Sequence, residues 1–178
     1  MKTPHLRRLF FLDGPGGSGK TYTYSILLHY ADGHNHSPLA FATTGIASTL
    51  LHAGRTMHSG FKLPLDMTET SASHMPMKSI EAKALRDSKL IIIDAASAIN
   101  RNALRCIDRL LQDLVEPTIP KDVRTPFDGK TVVLGGDFRQ KLPIIPRAKR
   151  AHILDSTIKY DTRWSQFRTL SLVTNTKL

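Results

Sequence analysis

The stretch Asp13-Gly14-Pro15-Gly16-Gly17-Ser18-Gly19-Lys20-Thr21 constrains the fold of this chain more than any other. From Gly14 to Thr21 it fits the pattern G-x-x-x-x-G-K-[ST] with nothing missing. Residues 8–12 before it form a short apolar run of strand length, and residues 20–31 after it can continue as a helix. Strand, glycine-rich loop and helix is the setting in which the pattern carries a mechanism. The glycines let the backbone bend around a phosphate chain and aim several N–H groups inward. The helix that starts there adds the positive end of its dipole. In such a loop Lys20 reaches the β- and γ-phosphates, and the hydroxyl of Thr21 holds Mg2+. The stretch therefore implies a nucleoside triphosphate site, in this chain or in its ancestor.

With 178 residues, of which 40% are hydrophobic and 22% charged, the chain can bury one sizeable core, so one domain is expected over residues 1–178. No apolar run approaches the length of a membrane span, and the N-terminus lacks the apolar core of a signal peptide. The single cysteine, Cys106, excludes an internal disulfide framework and fits a reducing, intracellular compartment. It falls within a helical pattern and reads as a small core residue rather than a nucleophile. A net charge of +10 favours a polyanionic partner, nucleic acid being the commonest. Charge alone would equally suit a membrane surface, so a motif is needed to decide.

Along the chain, residues 32–38 make a polar turn with His34 and His36. Two histidines without a Cys or carboxylate cluster read as solvent-exposed rather than as metal ligands. Residues 39–42 form a second short strand, Thr43-Thr44-Gly45 breaks it, and residues 46–53 can turn as a helix. Residues 54–76 are loop-like and long for a structureless connection, which points to a functional or disordered segment. A helix is expected over residues 79–88, with Ile80, Ala84 and Leu85 on one face.

Lys89-Leu90-Ile91-Ile92-Ile93-Asp94 is the clearest buried strand, a β-branched run that suits a parallel sheet covered on both faces. In residues 100–116 the apolar positions Ala103, Leu104, Ile107, Leu110, Leu111 and Leu114 recur at helical spacing, and Pro117 and Pro120 end that helix. Residues 131–134 form another buried strand, stopped by Gly135-Gly136, and residues 170–173 form one more. Alternating strands and helices give an α/β fold with a mostly parallel sheet flanked by helices.

In an open parallel sheet the ligand sits at the carboxyl ends of the strands. The first such end leads into the phosphate loop. The second closes on Asp94, where a P-loop enzyme places the carboxylate that orients Mg2+. The third is Gly135-Gly136-Asp137-Phe138-Arg139-Gln140, with polar side chains able to contact a γ-phosphate.

Taken in order, Gly14 to Thr21, Thr44-Gly45-Ile46-Ala47, Gly54-Arg55-Thr56-Met57-His58-Ser59, Ile91 to Asp94, and Gly135 to Gln140 with Leu142-Pro143 resemble one family. It is the petite-integration-frequency group of superfamily-1 DNA helicases, including copies carried by Helitron-type transposons. The resemblance runs from about Leu9 to Leu178, and it implies a RecA-like P-loop NTPase domain, the first motor lobe of an ATP-dependent DNA helicase with 5′-to-3′ polarity. The cofactors it implies are ATP and Mg2+, the partner is single-stranded DNA, and no membrane is involved. Gly14, Pro15, Gly16, Gly17, Ser18, Gly19, Lys20 and Thr21 would hold the nucleotide. Thr21 and Asp94 would hold Mg2+, and Gln140 would sense the γ-phosphate, with Lys20, Asp94 and Gln140 the catalytic set. Thr44, Gly45, Thr56 and His58 match segments that track single-stranded DNA, and uncharged polar groups suit a sequence-independent hold on sugar and phosphate. For His58 a packed loop residue is the alternative. Arg139, Lys141, Arg147, Lys149 and Arg150 form a basic stretch for which a DNA path and a solvated face both fit. The group also implies a nuclear or mitochondrial location and roles in DNA repair, recombination and telomere maintenance.

Three departures from the family pattern stand out. The acidic strand end there reads Asp-Glu, with the Glu polarising the attacking water, whereas Ala95 follows Asp94 here. Losing a general base typically costs about 10²–10⁴ in rate, or roughly 3–5 kcal/mol of barrier. Near the C-terminus the family pattern ends Asn-Met-Arg, and this chain has Asn175-Thr176-Lys177, which keeps the charge but loses the planar fork. The adenine-recognising segment upstream and the second motor lobe are also expected to be missing. Binding with little turnover follows, either as a truncated helicase lobe or as a non-hydrolysing remnant of a transposon-derived helicase. A GTPase or a small-molecule kinase is disfavoured, because no Asn-Lys-x-Asp guanine motif occurs and because the Gly-Asp-Phe-Arg-Gln segment fits helicases.

Overall fold

The computed structural model describes residues 8–115, 125–139 and 156–173. Six strands form one parallel sheet: β1 (Leu9–Asp13), β2 (Leu39–Ala42), β3 (Arg55–Thr56), β4 (Leu90–Asp94), β5 (Thr131–Gly136) and β6 (Arg168–Ser171). Their order across the sheet is β3-β2-β4-β5-β1-β6. Among the described residues five α-helices connect or flank them: α1 (Lys20–Gly33), α2 (Gly45–Thr49), α3 (Met57–Gly60), α4 (Ile80–Asp87) and α5 (Arg101–Asp113). The expected α/β architecture is therefore present. No helix among the described residues is long and apolar enough to cross a membrane.

Strand β4 shows why the sheet is covered on both sides. Ile91 and Ile93 join Phe11, Phe41, Val132, Leu134 and the apolar face of α5 in one core. Their neighbours Leu90 and Ile92 point the other way, to Leu12, Val133 and the α1 residues Tyr24, Leu28 and Ala31. Successive side chains alternate between faces, so a run with no polar residue needs an apolar layer above and below. Cys106 lies buried in the α5 layer, and burial pushes its thiol pKa up, as a core role predicts and a nucleophilic one does not.

Several sequence expectations shift in detail. The helix expected over residues 46–53 closes after α2, and Ala53 turns through a positive φ of 51°. Strand β5 runs on through Gly135 and Gly136 instead of stopping before them. Strand β6 begins two residues earlier than expected, as an exposed edge. On α4 the buried residues are Ala82 and Leu85, whereas Ile80, expected on the same face, is 86% exposed at the first turn.

Residues 54–76 are not a free loop. They contain β3 and α3, and the remainder is tied down from both sides. The guanidinium of Arg109 on α5 donates to the carbonyls of Glu69, Thr70 and Ser71 at 3.0–3.3 Å. Ser73 Oγ donates to the Phe61 carbonyl at 2.6 Å, the His74 amide donates to the Lys62 carbonyl at 2.9 Å, and Met75 is buried in the core. Side chains thus satisfy backbone groups that a bare loop would leave to water.

A buried charge network ties the middle of α5 to the segment around Asp161. Asp108 and Asp161 are 1% and 4% exposed. Arg163 Nε donates to Asp108 Oδ2 at 2.6 Å, and Arg105 Nε donates to Asp161 Oδ2 at 2.6 Å. Asp108 Oδ1 also accepts from the Phe127 amide and from Gln112 Nε2, which joins the turn at Pro126–Gly129 to the helix. Burial alone would raise the Asp161 pKa. The backbone N–H of Arg163 and the guanidinium groups of Arg105 and Arg163 outweigh it and hold the carboxyl below its ordinary value. A carboxyl with a depressed folded pKa contributes stability above its unfolded value of about 3.9, and that contribution is lost as pH falls. Asp161→Asn should therefore destabilise the chain at neutral pH, somewhat below the roughly 3–5 kcal/mol of a fully buried broken pair, because both arginines keep a solvent-facing edge. Urea unfolding checks this. The gap between wild type and variant should narrow as pH is lowered through about 4, and a gap that stays constant would refute the assignment.

Candidate functional site

Register places the chemistry. Asp13 of β1 lies level with Gly136 of β5, and Asp94 of β4 lies level with Ala42 of β2. Thr56 on β3 also pairs with Ala42. The carboxyl edge of the sheet therefore carries, in spatial order, Thr56, the Thr43-Thr44-Gly45 turn, Asp94, Gly135-Gly136, and the loop that follows Asp13.

That loop is built as its sequence demands. Gly17 and Gly19 have φ of 80° and 88°, in the left-handed region that a side chain disfavours, and Gly19 caps α1. The Gly14 amide donates to the Gly136 carbonyl at 3.2 Å, so the start of the loop is hung on the end of β5. Lys20 Nζ folds back and donates to the Gly14 and Pro15 carbonyls at 2.6 and 3.0 Å. Thr21 follows it in the first turn of α1. Ser18 Oγ is buried, has no hydrogen-bond partner among the described residues, and sits in the space that a Cβ on Gly14 would occupy. A buried orphan hydroxyl is costly unless a ligand meets it. The loop thus has the orphan donor, the cation and the glycine cradle that a phosphate chain requires. Thr21 and Asp94 carry hard oxygen atoms of the kind Mg2+ prefers.

Asp94 Oδ1 accepts a hydrogen bond from the hydroxyl of Tyr24 at 3.0 Å. Burial, together with the neighbouring Asp94 charge and hydrogen bond, pushes the Tyr24 phenol far above its ordinary pKa, so it remains a donor. Ala95, directly after Asp94, has φ 56° and ψ 33° and leads into the short 3₁₀ turn Ala96–Ala98. For a residue with a Cβ that conformation costs about 1–2 kcal/mol. Its methyl group offers no base at this turn.

At the end of β5, Asp137 Oδ1 accepts from both the backbone N–H and Nε of Arg139, at 2.9 and 2.8 Å. Arg139 Nη2 lies 3.8 Å from Asp13 Oδ2. Arg139 therefore folds onto the acidic ends of β5 and β1 rather than joining a purely basic stretch. Gln140 lies outside the described residues, as do Lys141, Leu142, Pro143, Arg147, Lys149, Arg150, Asn175, Thr176 and Lys177.

The four residues expected to follow DNA come together at the opposite end of the same edge. Thr44 is the N-cap of α2, its hydroxyl accepting from the Ala47 amide at 3.2 Å, and Gly45 is exposed beside it. Thr56 caps α3 in the same way, accepting from the Ser59 amide at 3.4 Å. His58, in α3, is half-buried. Each threonine uses a lone pair for the cap and keeps its O–H proton for another acceptor.

Sequence reasoning missed Tyr24 and its seat at Gly135. A signal was present, since Tyr24, Leu28 and Ala31 share the buried face of α1 at helical spacing. The spacing gives burial; only the fold reveals the partner.

Comparison with known proteins agrees with this fold. The profile of the PIF1-like helicase family matches residues 3–178. The chain is 31% identical over 141 residues to the ATP-dependent DNA helicase Pif1 of Psychrobacter sp. (strain PRwf-1), covering 78% of this chain and 20% of that protein. Bacteroides Pif1 bound to single-stranded DNA superposes with a TM-score of 0.75 at 26% identity, over 94% of this chain and 38% of that one. The Bacteroides Pif1 complex with ADP-AlF3 and single-stranded DNA gives 0.77 at 25% identity, with the same coverage. The Candida albicans Pif1 helicase shares the fold, with a TM-score of 0.71 at 22% identity over 97% of this chain and 40% of that one. The chain thus spans well under half the length of the relatives it matches. With a family match that runs through nearly the whole sequence, the chain belongs to the PIF1-like helicase family.

Proposed function

We propose that this chain is the first motor lobe of an ATP-dependent DNA helicase, binding Mg2+-ATP at the Gly14 to Thr21 loop and single-stranded DNA at Thr44, Gly45, Thr56 and His58, with hydrolysis impaired by Ala95. The observation that carries the proposal is the shared carboxyl edge. The phosphate loop, Asp94 and the two capping threonines lie along it in one order, set by the strand register. The Bacteroides relative has been captured with both an ADP-AlF3 group and single-stranded DNA, which supports assigning both ligands here.

Each residue then has a task. Lys20 exchanges the Gly14 and Pro15 carbonyls for phosphate oxygens, and Ser18 finds the partner it lacks. Thr21 and Asp94 supply the oxygen ligands for Mg2+, which when bound offsets the negative charge on the phosphates. Gln140 is assigned to the γ-phosphate on family resemblance. Ala95 cannot take the proton from an attacking water, and Asp94 is committed to the metal, so binding is expected to outlast turnover. The polarity, 5′ to 3′, and a nuclear or mitochondrial location follow the family. The second lobe that translocation requires is assigned to the part of the relatives that this chain does not match.

Two expected outcomes follow. Fluorescent ATP analogues should bind this chain in Mg2+, and Lys20→Ala should weaken binding at least about tenfold, the effect of losing a charge-assisted contact of about 1.4 kcal/mol. Steady-state ATPase of the unmodified chain, with or without single-stranded DNA, should lie about 10²–10⁴ below that of a relative carrying the general base. Brisk turnover by the unmodified chain would sink the role given to Ala95, whereas gain of activity in Ala95→Glu would support it.

For DNA, Thr44→Asp separates capping from contact. Aspartate caps α2 as well as threonine does, so stability should change little. Its negative charge opposes a phosphate, so affinity for single-stranded oligonucleotides should fall by about tenfold, equally for thymine-only and mixed sequences. Fluorescence anisotropy reads this out, and unchanged affinity would remove Thr44 from the DNA path.

A further inference from the structure

The structure assigns Tyr24 a role that the loop motif does not contain: its hydroxyl positions the Asp94 carboxylate for the divalent cation. This rests on the reading of Asp94 as a Mg2+ ligand. Tyr24 is 0% exposed, and its hydroxyl donates to Asp94 Oδ1 at 3.0 Å. Three residues before it on α1 stands Thr21, the other proposed metal ligand, and four before it stands Lys20. One rigid helical turn therefore links the phosphate-binding residues to the end of β4.

The opposite wall has been cleared for this contact. A Cβ on Gly135 would overlap the Tyr24 hydroxyl and press on its ring carbon. Gly135 is thus the seat of the phenol, which explains a glycine inside β5 where a β-branched residue would strengthen the strand. Tyr24 of α1, Asp94 of β4 and Gly135 of β5 thus meet at the phenol oxygen.

The choice of donor suits a metal ligand. A lysine or arginine here would neutralise Asp94 and compete with the cation. A phenol fixes one carboxylate oxygen and leaves the charge intact. Outer-sphere hydrogen bonds of this kind orient ligands, and losing one typically lowers metal affinity by about 10–100-fold. A purely structural hydrogen bond would make a different prediction, because it would not distinguish metal-bound from metal-free nucleotide.

The test is nucleotide affinity measured twice for each protein, in Mg2+ and in EDTA, with a fluorescent ATP analogue. The ratio of the two is the gain due to Mg2+. Tyr24→Phe keeps the ring and removes the hydroxyl. It should lower the Mg2+ gain by about tenfold, leave affinity in EDTA within about twofold, and leave Tm nearly unchanged. Asp94→Ala should abolish the gain, and adding Tyr24→Phe to it should cause no further loss, because the two residues act through one contact. An unchanged Mg2+ gain in Tyr24→Phe, or an equal loss in EDTA, would overturn the positioning role. An undiminished gain in Asp94→Ala would instead overturn the metal assignment of Asp94, and the role of Tyr24 with it.

Discussion

The rest of the molecule depends on how β4 is held between β2 and β5. Ile93 pairs with Phe41 on one side and Leu134 on the other, and the three isoleucines Ile91 to Ile93 are fully buried. Burying each such side chain is worth about 1.5–3 kcal/mol. A slip of one residue would send Ile91 and Ile93 to the α1 face and Ile92 to the α5 face, into layers shaped for other side chains. It would also move Asp94 by about 3.3 Å along the strand, beyond reach of Tyr24. Register and chemistry are therefore fixed by the same burial. The carboxylate is where it is because the apolar run before it admits one alignment.

At the end of β4 the backbone holds a turn that its side chain does not favour. The backbone at Ala95 turns left-handed and the chain continues into Ala96–Ala98, with Ser97 packed under Gly136. Alanine has neither the steric freedom of glycine nor the local hydrogen bonds that let asparagine or aspartate take such a turn. The turn therefore persists although its residue gains nothing from it. The conformation belongs to the scaffold and not to the side chain, so the turn does not depend on the residue that occupies it.

Much of this was legible in the sequence, and what was not has a common cause. The phosphate loop, the β4 run and the α5 periodicity are local patterns, and each formed an element within about three residues of its expected place. The long-range contacts of Asp108, Asp161 and Arg109 follow no spacing rule, because these partners lie 19–56 positions away. Residues 54–76 looked unstructured for that reason: their order comes from a guanidinium on another element. Gly135 read as a strand stop because a glycine signals a break as readily as a close approach, and only the position of Tyr24 distinguishes the two. Helical spacing puts Ile80 on one face with Ala84 and Leu85, yet it is exposed, because spacing gives a face and not where the helix starts relative to the core.

The same long-range contacts change the meaning of the net charge of +10. Arg109 and Lys130 bond backbone carbonyls within the fold, and Lys130 is nearly buried between those of Arg86 and Ser88. Arg8 and Arg86 bond the carbonyls of Gly129 and Met77. These cations count in full toward the total, because carbonyls carry no formal charge, yet their geometry is set by the scaffold rather than by a ligand. Arg105 and Arg163 are matched by Asp161 and Asp108. At the proposed DNA path, by contrast, Thr44, Gly45 and Thr56 carry no charge at all. A basic composition steers a polyanion toward the protein from a distance. The hold on a single strand that a motor must repeatedly grip and release is better built from neutral donors, whose contacts are short-ranged and indifferent to base sequence. Under the proposed function, net charge and these residues serve two stages of one encounter, and only the second is localised on the carboxyl edge that also carries the phosphate loop.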